Sequence, residues 1–445
     1  MFVLMFCLIF IGKKQHQHQI KRSYQSVKCG HKATKVKEII SLSKNTLYIT
    51  FDGLSDPLGQ SQILPYVVSL AQQGYCITVL SCEKPSVLRT EKHVIDEQIK
   101  GLSIEWKFIE YNEQGNFLTR FNYVKQLQTI AEQLVSTKNI SLTHCRSYLS
   151  ALIGLKLKKQ KGIPFLFDMR GFWADERIEG GIWKKNDPLH YIFYRYFKLK
   201  EKQFLKHADF IITLTNASLR YLMNKFPDIP INEKAEVIPC CTNMERFDAA
   251  KTKKALLPQG ISENDLLLIY TGSIGTWYYT KEMIDCVLAW KEFIPNIKLL
   301  ILTKDKNELP LILNNYSVSQ KKIIFTESAS YSDVPSYLAL AKAAIYFIKP
   351  VFSKIASSPT KMAECWAMDL PIITNKGIGD NDLYFNKHKG GILLSEFTEE
   401  EYRRSAQTFL ELIKNNYSYR DIAMTHFNNK KAAATYLNIY NALSS

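Results

Sequence analysis

Residues 357–371 contain the side chains whose types and spacing are best suited to chemistry. Two serines and a proline precede an apolar segment that only Lys361 and Glu364 interrupt before Asp369. Serine favours a helix N-cap and proline the first helical position, so the pattern predicts a helix over 359–369. The free N–H groups at the start of a helix bind anions. The side chains that would add to such an anion site are Ser358, Thr360 and Lys361.

Glu364 leaves two interpretations of this helix open. A carboxylate in a buried helix needs a partner, because an unpaired buried charge is costly. Phosphate at the helix start and hydroxyl groups on Glu364 would together describe a pocket for a nucleotide sugar. Alternatively, Glu364 forms a structural ion pair with Lys361, three residues earlier. The stretch alone does not separate the two interpretations.

A second cluster follows a strand predicted at 163–168. Carboxylates, an arginine and two aromatic residues lie within residues 168–176, at a loop of the kind that often carries catalytic groups. Arg170 would brace a phosphate or a developing charge, with Asp168 beside it and His144 at the end of the preceding strand. The alternative is a structural ion pair between Arg170 and Asp175.

Two further places are predicted to face the same ligand. The loop 52–61 contains two glycines, which allow a close backbone approach to phosphate or sugar. Its candidate contacts are Asp56, Gly59 and Gln60. It lacks the GxGxxG dinucleotide fingerprint, and a plain turn is the alternative. Lys349 ends a strand predicted at 343–348 and is expected to point into the cleft.

Metal and redox chemistry are not predicted. Residues 380–382 have an Asp-x-Asp order, but no strand of the usual kind precedes them, and we interpret them as a solvated turn. The nine cysteines lack framework spacing, which is typical of free thiols in a reducing compartment. We therefore expect no metal and no cofactor.

The composition is that of a soluble globular protein with a basic excess. The chain has 445 residues, of which 58 are basic and 42 acidic, so 58 − 42 gives a net charge of +16. This favours anionic partners such as nucleotides or a membrane surface, and no nucleic-acid-binding motif accompanies it. Residues 1–12 form an apolar run too short to span a bilayer. We expect 1–45 to be a disordered extension outside the fold, with a weak membrane anchor as the alternative.

Strand–loop–helix units repeat twice along the remaining chain, which indicates mostly parallel sheets with helices on both faces. The predicted α/β fold has two Rossmann-like, doubly wound domains that face a central cleft. The predicted boundaries are 46–245, 246–415 and a helical tail at 416–445. Ligands of such sheets bind at the carboxyl ends of the strands, and hence in the cleft.

A series of segments in this order resembles the family 4 glycosyltransferases of the GT-B fold. The resemblance covers about residues 46–440 and rests on 52–62 with Leu64 and Pro65, 170–174, 237–239, 270–273 and 359–371. It implies transfer of a sugar from a nucleotide diphosphate donor with retention and without a metal. It also implies a donor site in the C-terminal domain, an acceptor site in the N-terminal domain and final helices that cross back.

The family's residues carry over only in part. Glu364 matches the second of two signature glutamates, which is implied to hold the ribose hydroxyls. The first falls on Ala356, so its contact with the donor sugar is missing or supplied elsewhere. The arginine expected after Gly272 is Ser273, and the lysine expected later is Tyr279 unless Lys281 takes its place.

The histidine that the family often has after the 163–168 strand is Arg170 here. We therefore expect Lys349, Lys361 and Arg170 to neutralise the diphosphate, with Gly272 and Ser273 completing the donor site.

The expected function is a glycosyltransferase of the hexosyltransferase type that acts in cell-surface polysaccharide or glycoconjugate synthesis. The expected acceptor is a saccharide or a lipid-linked saccharide, because lysines concentrate near 156–161 and 198–206. A cytoplasmic location is expected, with peripheral contact to an anionic membrane. One alternative is a nucleotide-sugar epimerase of the same fold. Another is a catalytically silent binding protein, which Ala356 and Ser273 motivate.

Overall fold

The structure, a computed structural model, describes residues 44–112, 117–305, 307–415 and 417–444. The predicted extension at 1–45 lies outside these residues except for its last two, and the first strand begins at Asn45. The strands form two separate sheets, and every pair of neighbouring strands in them is parallel. This is the fold class that the sequence predicts.

The first sheet, which defines the N-terminal domain, has the order β3-β2-β1-β4-β5-β6-β7. Its strands are β1 Asn45–Thr50, β2 Cys76–Glu83, β3 Ile104–Glu110, β4 Leu142–Arg146, β5 Phe165–Asp168, β6 Phe210–Thr213 and β7 Ala235–Val237. The order reverses beside β1, where β2 and β4 flank it. The carboxyl ends of β1, β4 and β5 therefore lie side by side, which brings Asp52, Arg146 and Asp168 to one edge.

The second sheet, which defines the C-terminal domain, has the order β10-β9-β8-β11-β12-β13. Its strands are β8 Leu266–Thr271, β9 Ile297–Leu302, β10 Ile324–Glu327, β11 Ala343–Ile345, β12 Ile372–Asn375 and β13 Gly391–Leu394. The reversal falls between β8 and β11. The turn after β8 and the helix before β12 consequently meet at the same edge.

Helices cover both faces of the sheets, as parallel strands buried on both sides require. In the N-terminal domain they are Pro57–Gln62, Leu64–Gln72, Pro85–Ile99, Phe117–Lys138, Ser147–Lys161, Trp173–Glu179, Pro188–His207 and Asn216–Lys225. In the C-terminal domain they are Thr280–Trp290, Leu309–Leu313, Val318–Lys321, Val334–Leu338, Thr360–Ala367, Asn381–His388, Glu399–Leu412 and Arg420–His426. Short 3₁₀ turns lie at Ile231–Glu233 and Phe352–Ala356. Among the helices of the described residues, none is long and apolar enough to cross a membrane.

The last helix, Asn429–Leu443, leaves the C-terminal domain and packs on the N-terminal one. Its tyrosines lie against tyrosines of the first domain, with ring centroids 5.1 Å apart for Tyr436 and Tyr66 and 5.2 Å for Tyr440 and Tyr75. Tyr436 and Tyr440 are almost completely buried. The tail therefore contributes to the core of the N-terminal domain.

The helix that the sequence places at 359–369 is shorter than predicted and begins differently. It spans Thr360–Ala367, and Pro359 occupies the N-cap position without a side-chain cap. Ser358 does not cap it, because its Oγ accepts a hydrogen bond of 3.1 Å from the Cys240 backbone N–H in the opposite domain. The serine thus joins the two domains at the helix start.

The predicted solvated turn at 380–382 is wrong for Asp380, which is buried. Its carboxylate accepts hydrogen bonds from the backbone N–H groups of Asn216 and Ala217, at 2.7 Å and 3.0 Å. These N–H groups begin the Asn216–Lys225 helix of the N-terminal domain. Asp380 therefore caps a helix of the other domain, and the carboxylate favours the positive end of that helix.

Replacing Asp380 with alanine should lower the free energy of unfolding by about 1–2 kcal/mol, because two helix-start N–H groups lose their acceptor. Asp382→Ala is the matched control. Asp382 accepts a single exposed bond, from the Gly377 N–H at 3.2 Å, and its loss should cost less than about 0.5 kcal/mol. Urea unfolding of both variants measures the difference. Equal costs would contradict the capping role.

Candidate active site

The start of the 360–367 helix faces the N-terminal domain across the cleft. Besides the Cys240–Ser358 bond, Thr215 Oγ1 donates to the Ile355 carbonyl at 2.7 Å. The Phe172 and Phe352 rings stack with centroids 5.3 Å apart. The segment 352–358 is therefore held against the N-terminal domain, and it fixes the position of the helix that follows.

Lys361 is a buried cation at this helix start. Its Nζ lies 3.7 Å from the ring centroid of Tyr278, 4.4 Å from that of Tyr270 and 5.6 Å from that of Tyr346. It also lies 3.3 Å from the Tyr270 hydroxyl. Aromatic faces attract a cation, so the tyrosines offset part of the cost of burying the charge.

The turn after β8 lies directly against Lys361. Gly272 has φ +133°, and a Cβ atom added to it would lie 2.8 Å from Lys361 Nζ. The backbone angle therefore favours glycine, and a larger side chain would also displace the lysine. Gly272 and Lys361 are adjacent in this geometry; that they bind a donor together with Ser273 stays a prediction. Ser273 contributes its carbonyl to the turn, where it accepts a bond from the Tyr270 hydroxyl.

Glu364 faces a different partner from Lys361. It accepts a hydrogen bond of 3.2 Å from the Tyr331 hydroxyl, and the Arg246 guanidinium lies 4.1 Å from the centre of the Tyr331 ring. No salt bridge joins Lys361 and Glu364, both of which the structure describes. The structural ion pair that the sequence left open is thus not formed.

Burial moves the pKa values of both groups toward neutrality. It lowers the pKa of Lys361 to about 7, and nearby Cys365 and Glu364 oppose the change. It raises the pKa of Glu364 to about 7, against the Tyr331 hydrogen bond and the charges of Lys361 and Arg246. Buried ionisable groups displaced in this way are typical of functional sites.

Arg170 reaches the helix start from the N-terminal domain. Its backbone has φ +56°, uncommon for a residue with a side chain. One guanidinium nitrogen donates to Cys240 Sγ at 3.3 Å, and another lies 3.6 Å from Asp168 Oδ1. Because the Cys240 N–H binds Ser358, only Cys240 separates Arg170 from the start of the 360–367 helix.

Asp168 and His144 lie beneath Arg170 rather than beside an open cleft, since both are almost completely buried. Asp168 Oδ2 lies 3.5 Å from His144 Nε2 and accepts a hydrogen bond of 3.2 Å from the Tyr436 hydroxyl. Burial alone would raise the pKa of Asp168, but Arg170, His144 and Arg146 outweigh it and hold that pKa at about 2. Burial lowers the pKa of His144. Asp168 is therefore an ionised acid that holds Arg170 in position, and His144 is a neutral imidazole that supports Asp168.

The predicted ion pair between Arg170 and Asp175 is not formed. Asp175 instead accepts hydrogen bonds from Lys198 Nζ at 2.7 Å and from the Tyr194 hydroxyl at 2.9 Å. It thereby ties the Trp173–Glu179 helix to the Pro188–His207 helix. Within 168–176, Asp175 therefore contributes to helix packing, whereas Asp168 belongs to the cluster around Arg170.

The polar groups of the 52–61 loop are bonded to neighbouring residues of the N-terminal domain. Glu83 accepts the Leu54 N–H at 2.8 Å, Asp56 lies 3.3 Å from Lys84 Nζ, and Gln60 Nε2 donates to Ser55 and Glu91. A Cβ atom on Gly59 would lie 2.0 Å from the Gly53 carbonyl oxygen. Close packing of the first helix therefore explains this glycine without a ligand. Contacts of Asp56, Gly59 and Gln60 with an acceptor remain a prediction.

Ala356 occupies the position that the family resemblance assigns to a glutamate. Ala356 is buried, and its carbonyl oxygen lies 3.9 Å from the position that a Cβ atom on Gly171 would take. Glu176 comes within 3.7 Å of the same position and pairs with Lys354 Nζ at 2.9 Å. A carboxylate of the N-terminal domain thus lies near Gly171 and the Ala356 carbonyl.

Sequence reasoning missed several residues of this site, namely Tyr270, Tyr278, Tyr331, Arg246 and Cys240. Tyr270 lies near the end of β8, and the other four lie in turns and the linker, where no periodic pattern marks a side chain as facing a cleft. Thr360 is the first residue of the helix, one residue later than predicted, and Lys349 follows β11, with its N–H bonded to the Trp277 carbonyl at 2.9 Å. In the described part of the chain, no group of three His, Cys, Asp or Glu residues is arranged to hold a metal.

The comparisons with known proteins agree with this architecture. Residues 66–246 match the model of the family described as Glycosyltransferase Family 4. The sucrose-phosphate synthase of Thermosynechococcus elongatus has a similar structure, with a TM-score of 0.65 and 13% identity over 90% of this chain and 98% of that one. No curated protein matches the sequence.

Two further solved structures show the same fold. Anabaena HepE in complex with UDP and glucose has a TM-score of 0.62 and 12% identity, over 89% of this chain and 99% of that one. WaaG, a glycosyltransferase involved in lipopolysaccharide biosynthesis, has a TM-score of 0.59 and 14% identity, over 87% and 98%. These structures show that the fold is GT-B, and residues 66–246 are similar to the family 4 glycosyltransferases.

Lys361→Met should stabilise the ligand-free protein by about 1–3 kcal/mol at pH 7, because methionine fills the same space without a buried charge. The folded-state pKa of Lys361, about 7, lies below the ordinary 10.5, so the unfolded chain binds more protons between these values. Stability should therefore rise with pH across this window in the wild type, and the variant should lose the rise.

Denaturant unfolding between pH 6 and pH 10 tests this expectation, with Lys376→Met, at an exposed lysine, as the control. Glu364 contributes with the opposite sign, because its raised pKa makes stability fall as pH rises from 4.5 to about 7. An unchanged profile in Lys361→Met would show that the lysine is not strained in the free protein.

Proposed function

We propose that this glycosyltransferase transfers a sugar from a nucleoside diphosphate sugar to a saccharide or lipid-linked saccharide, with retention at the anomeric carbon and without a metal. The observation that carries the proposal is the buried Lys361 at a helix start, against the bare backbone of Gly272. Arg170 contacts Cys240, whose N–H binds Ser358 just before the same helix. A diphosphate is the anion that matches this set of positive groups.

The nucleotide would occupy the C-terminal side of the cleft. Glu364 would accept hydrogen bonds from the ribose hydroxyls, with Tyr331 and Arg246 orienting its carboxylate. The diphosphate would contact the N–H groups at the start of the 360–367 helix, Thr360, Ser273 and the ammonium of Lys361. Lys349 would approach from the end of β11. An anion here favours the protonated lysine, so binding should raise the pKa of Lys361 again.

The transfer would break the bond between the anomeric carbon and the diphosphate oxygen and form a bond to the acceptor oxygen on the same face. The departing diphosphate gains negative charge as the bond breaks. Lys361, Arg170 and the helix dipole would balance that charge, which is the task that a metal would otherwise perform. A diphosphate oxygen would take the proton of the acceptor hydroxyl. Asp168 and His144 would act indirectly, by fixing Arg170.

The acceptor would enter from the N-terminal domain, along the loop that carries Asp56, Gly59 and Gln60. Support for a saccharide on a membrane-bound carrier comes from the WaaG likeness and from the basic surface of this domain. Glucose and UDP in the HepE complex support a hexose donor with a nucleoside diphosphate. A product assembled on a lipid would place the enzyme at the inner face of a membrane.

Purified protein incubated with a panel of nucleoside diphosphate sugars and acceptor extracts should release nucleotide only when an acceptor is present. The product should keep the anomeric configuration of the donor, as read by NMR, and excess EDTA should leave the rate unchanged. Release of no nucleotide with an altered sugar would instead indicate an epimerase. Binding without either reaction would indicate a silent protein.

Glu364→Gln should lower kcat/KM for the donor by about 10-fold to 100-fold, because an amide is a weaker acceptor for two ribose hydroxyls. Glu400→Gln, at an exposed acid of the C-terminal domain, is the control and should retain the wild-type value. Equal kinetics in the two variants would remove Glu364 from the donor site.

A further inference from the structure

The Pro188–His207 helix of the N-terminal domain has an unusual outward face. Its inward stripe, Phe193, Phe197, Glu201 and Phe204, is buried. The opposite stripe recurs every three or four residues and is exposed, with Leu189, Ile192 and Arg195 in its first half and Leu199, Lys202 and Lys206 in its second. Leu189, Ile192 and Leu199 are 56%, 42% and 63% exposed. The helix thus has one apolar stripe that packs on the core. Its solvent face carries a second set of apolar residues, followed by basic residues.

Neighbouring residues extend this surface. Ile182, 51% exposed, precedes the helix together with the exposed Lys184 and Lys185. Tyr191, 48% exposed, adds an aromatic ring at the apolar end. We call Ile182, Leu189, Tyr191, Ile192 and Leu199, with the lysines around them, the helix 188–207 surface. Large exposed apolar groups that cluster in this way mark an interaction site.

The charge on this surface is mostly positive. The helix contains a single acid, Glu201, which is buried and bonded to Lys198 and to the Tyr148 hydroxyl. Just before the helix, the partly exposed Asp187 carboxylate accepts the backbone N–H groups of Leu189 and His190 as the N-cap. At the C-terminal end, burial lowers the pKa of His207, with further lowering by Lys159, Lys206, Lys234 and Lys158. Beyond its N-cap, the outer face therefore offers positive charge to a partner.

We propose that the helix 188–207 surface docks on an anionic lipid bilayer, with Leu189, Ile192 and Leu199 in the interface and Lys202 and Lys206 on the headgroups. An amphipathic helix with apolar and basic residues on one exposed face lies in the plane of a membrane and prefers anionic lipids. The long stems of the lysines let their charges reach the headgroups while the aliphatic side chains insert. A protein partner would need acidic complementarity over the same area, and it is the competing outcome of the test.

The test uses the full chain and sedimentation with vesicles, and requires no sugar transfer. The wild type should bind vesicles of phosphatidylglycerol and phosphatidylcholine at least about tenfold more tightly than pure phosphatidylcholine, and the preference should fall with salt. The variant Leu189→Ser/Ile192→Ser/Leu199→Ser should lose about tenfold or more in binding. Lys202→Glu/Lys206→Glu should lose a similar factor and the salt dependence with it.

Two matched controls carry the same changes elsewhere. Leu311→Ser/Val318→Ser removes apolar groups that are 70% and 76% exposed in the C-terminal domain, and Lys253→Glu/Lys254→Glu reverses two exposed lysines there. Both should bind vesicles like the wild type, and all four variants should keep the wild-type melting temperature. If the surface variants bind vesicles as the wild type does, or the wild type binds neither vesicle, the proposal is wrong.

Self-association abolished by the serine variant, without vesicle binding, would also overturn the proposal in favour of a second copy. Donor kinetics measured on the same variants separate the two proposals. Because the surface lies away from Lys361 and Arg170, those kinetics should not change with a soluble acceptor. Loss of vesicle binding with intact kinetics supports the surface, whereas an enzyme without donor turnover that still binds vesicles would contradict only the proposed function.

Discussion

The burial of one positive charge constrains the whole C-terminal half of the cleft. Lys361 cannot lie within a domain core unless something compensates its lost hydration, and the chain surrounds it with tyrosine rings and a glycine backbone. Those rings come from β8, from the turn after it and from the residue that follows β11, so three separate segments together accommodate the lysine. The tyrosines offset only part of the desolvation cost of the ammonium group. An anion is expected to bind there because a diphosphate supplies the negative charge that the protein does not.

The same helix start is fixed by contacts with the other domain. Ser358 accepts a hydrogen bond from the Cys240 N–H, and Cys240 Sγ accepts one from Arg170. Arg170 forms an ion pair with Asp168, which also accepts a hydrogen bond from Tyr436 of the final helix. A series of polar contacts thus links the final helix, the N-terminal sheet and the 360–367 helix. The final helix is therefore part of the architecture of the proposed site. A substitution of Tyr436 would remove a hydrogen bond to Asp168. Asp380 and the Lys354–Glu176 pair hold the domains together on either side.

Much of this arrangement follows from sequence patterns, and the exceptions have physical causes. The strands predicted at 163–168 and 343–348 overlap β5 and β11, whereas β7 and β13, of three and four residues, are short edge strands that carry little sequence pattern. The alternation of strands and helices was enough to predict two parallel sheets. Helix boundaries were less certain, since Ser358 serves the neighbouring domain and not the cap that its position suggests.

The candidate site divides in the same way. Gly272 and Lys361 could be placed at the carboxyl edge of a sheet because the first follows a strand and the second lies in the first turn of a helix. The roles of Lys361, Gly272 and Glu364 in binding a donor stay predictions. Asp380 was misjudged as solvated, since its partners, Asn216 and Ala217, lie 164 and 163 residues away in the chain. The tyrosines around Lys361 were not predicted, because an aromatic residue in a turn reads as packing until the lysine is placed against it. Glu176 near Ala356 likewise emerges only when the two domains are assembled.

Proton uptake on nucleotide binding tests the central claim, that Lys361 has a lowered pKa in the free protein and becomes a full cation when a diphosphate binds. Titration calorimetry with UDP at pH 8, in buffers of different ionisation enthalpy, reports the number of protons bound. A pKa of about 7 in the free protein predicts an uptake of close to one proton per UDP, and Lys361→Met should abolish it. UDP that binds without proton uptake, or with the same uptake in Lys361→Met, would contradict the account.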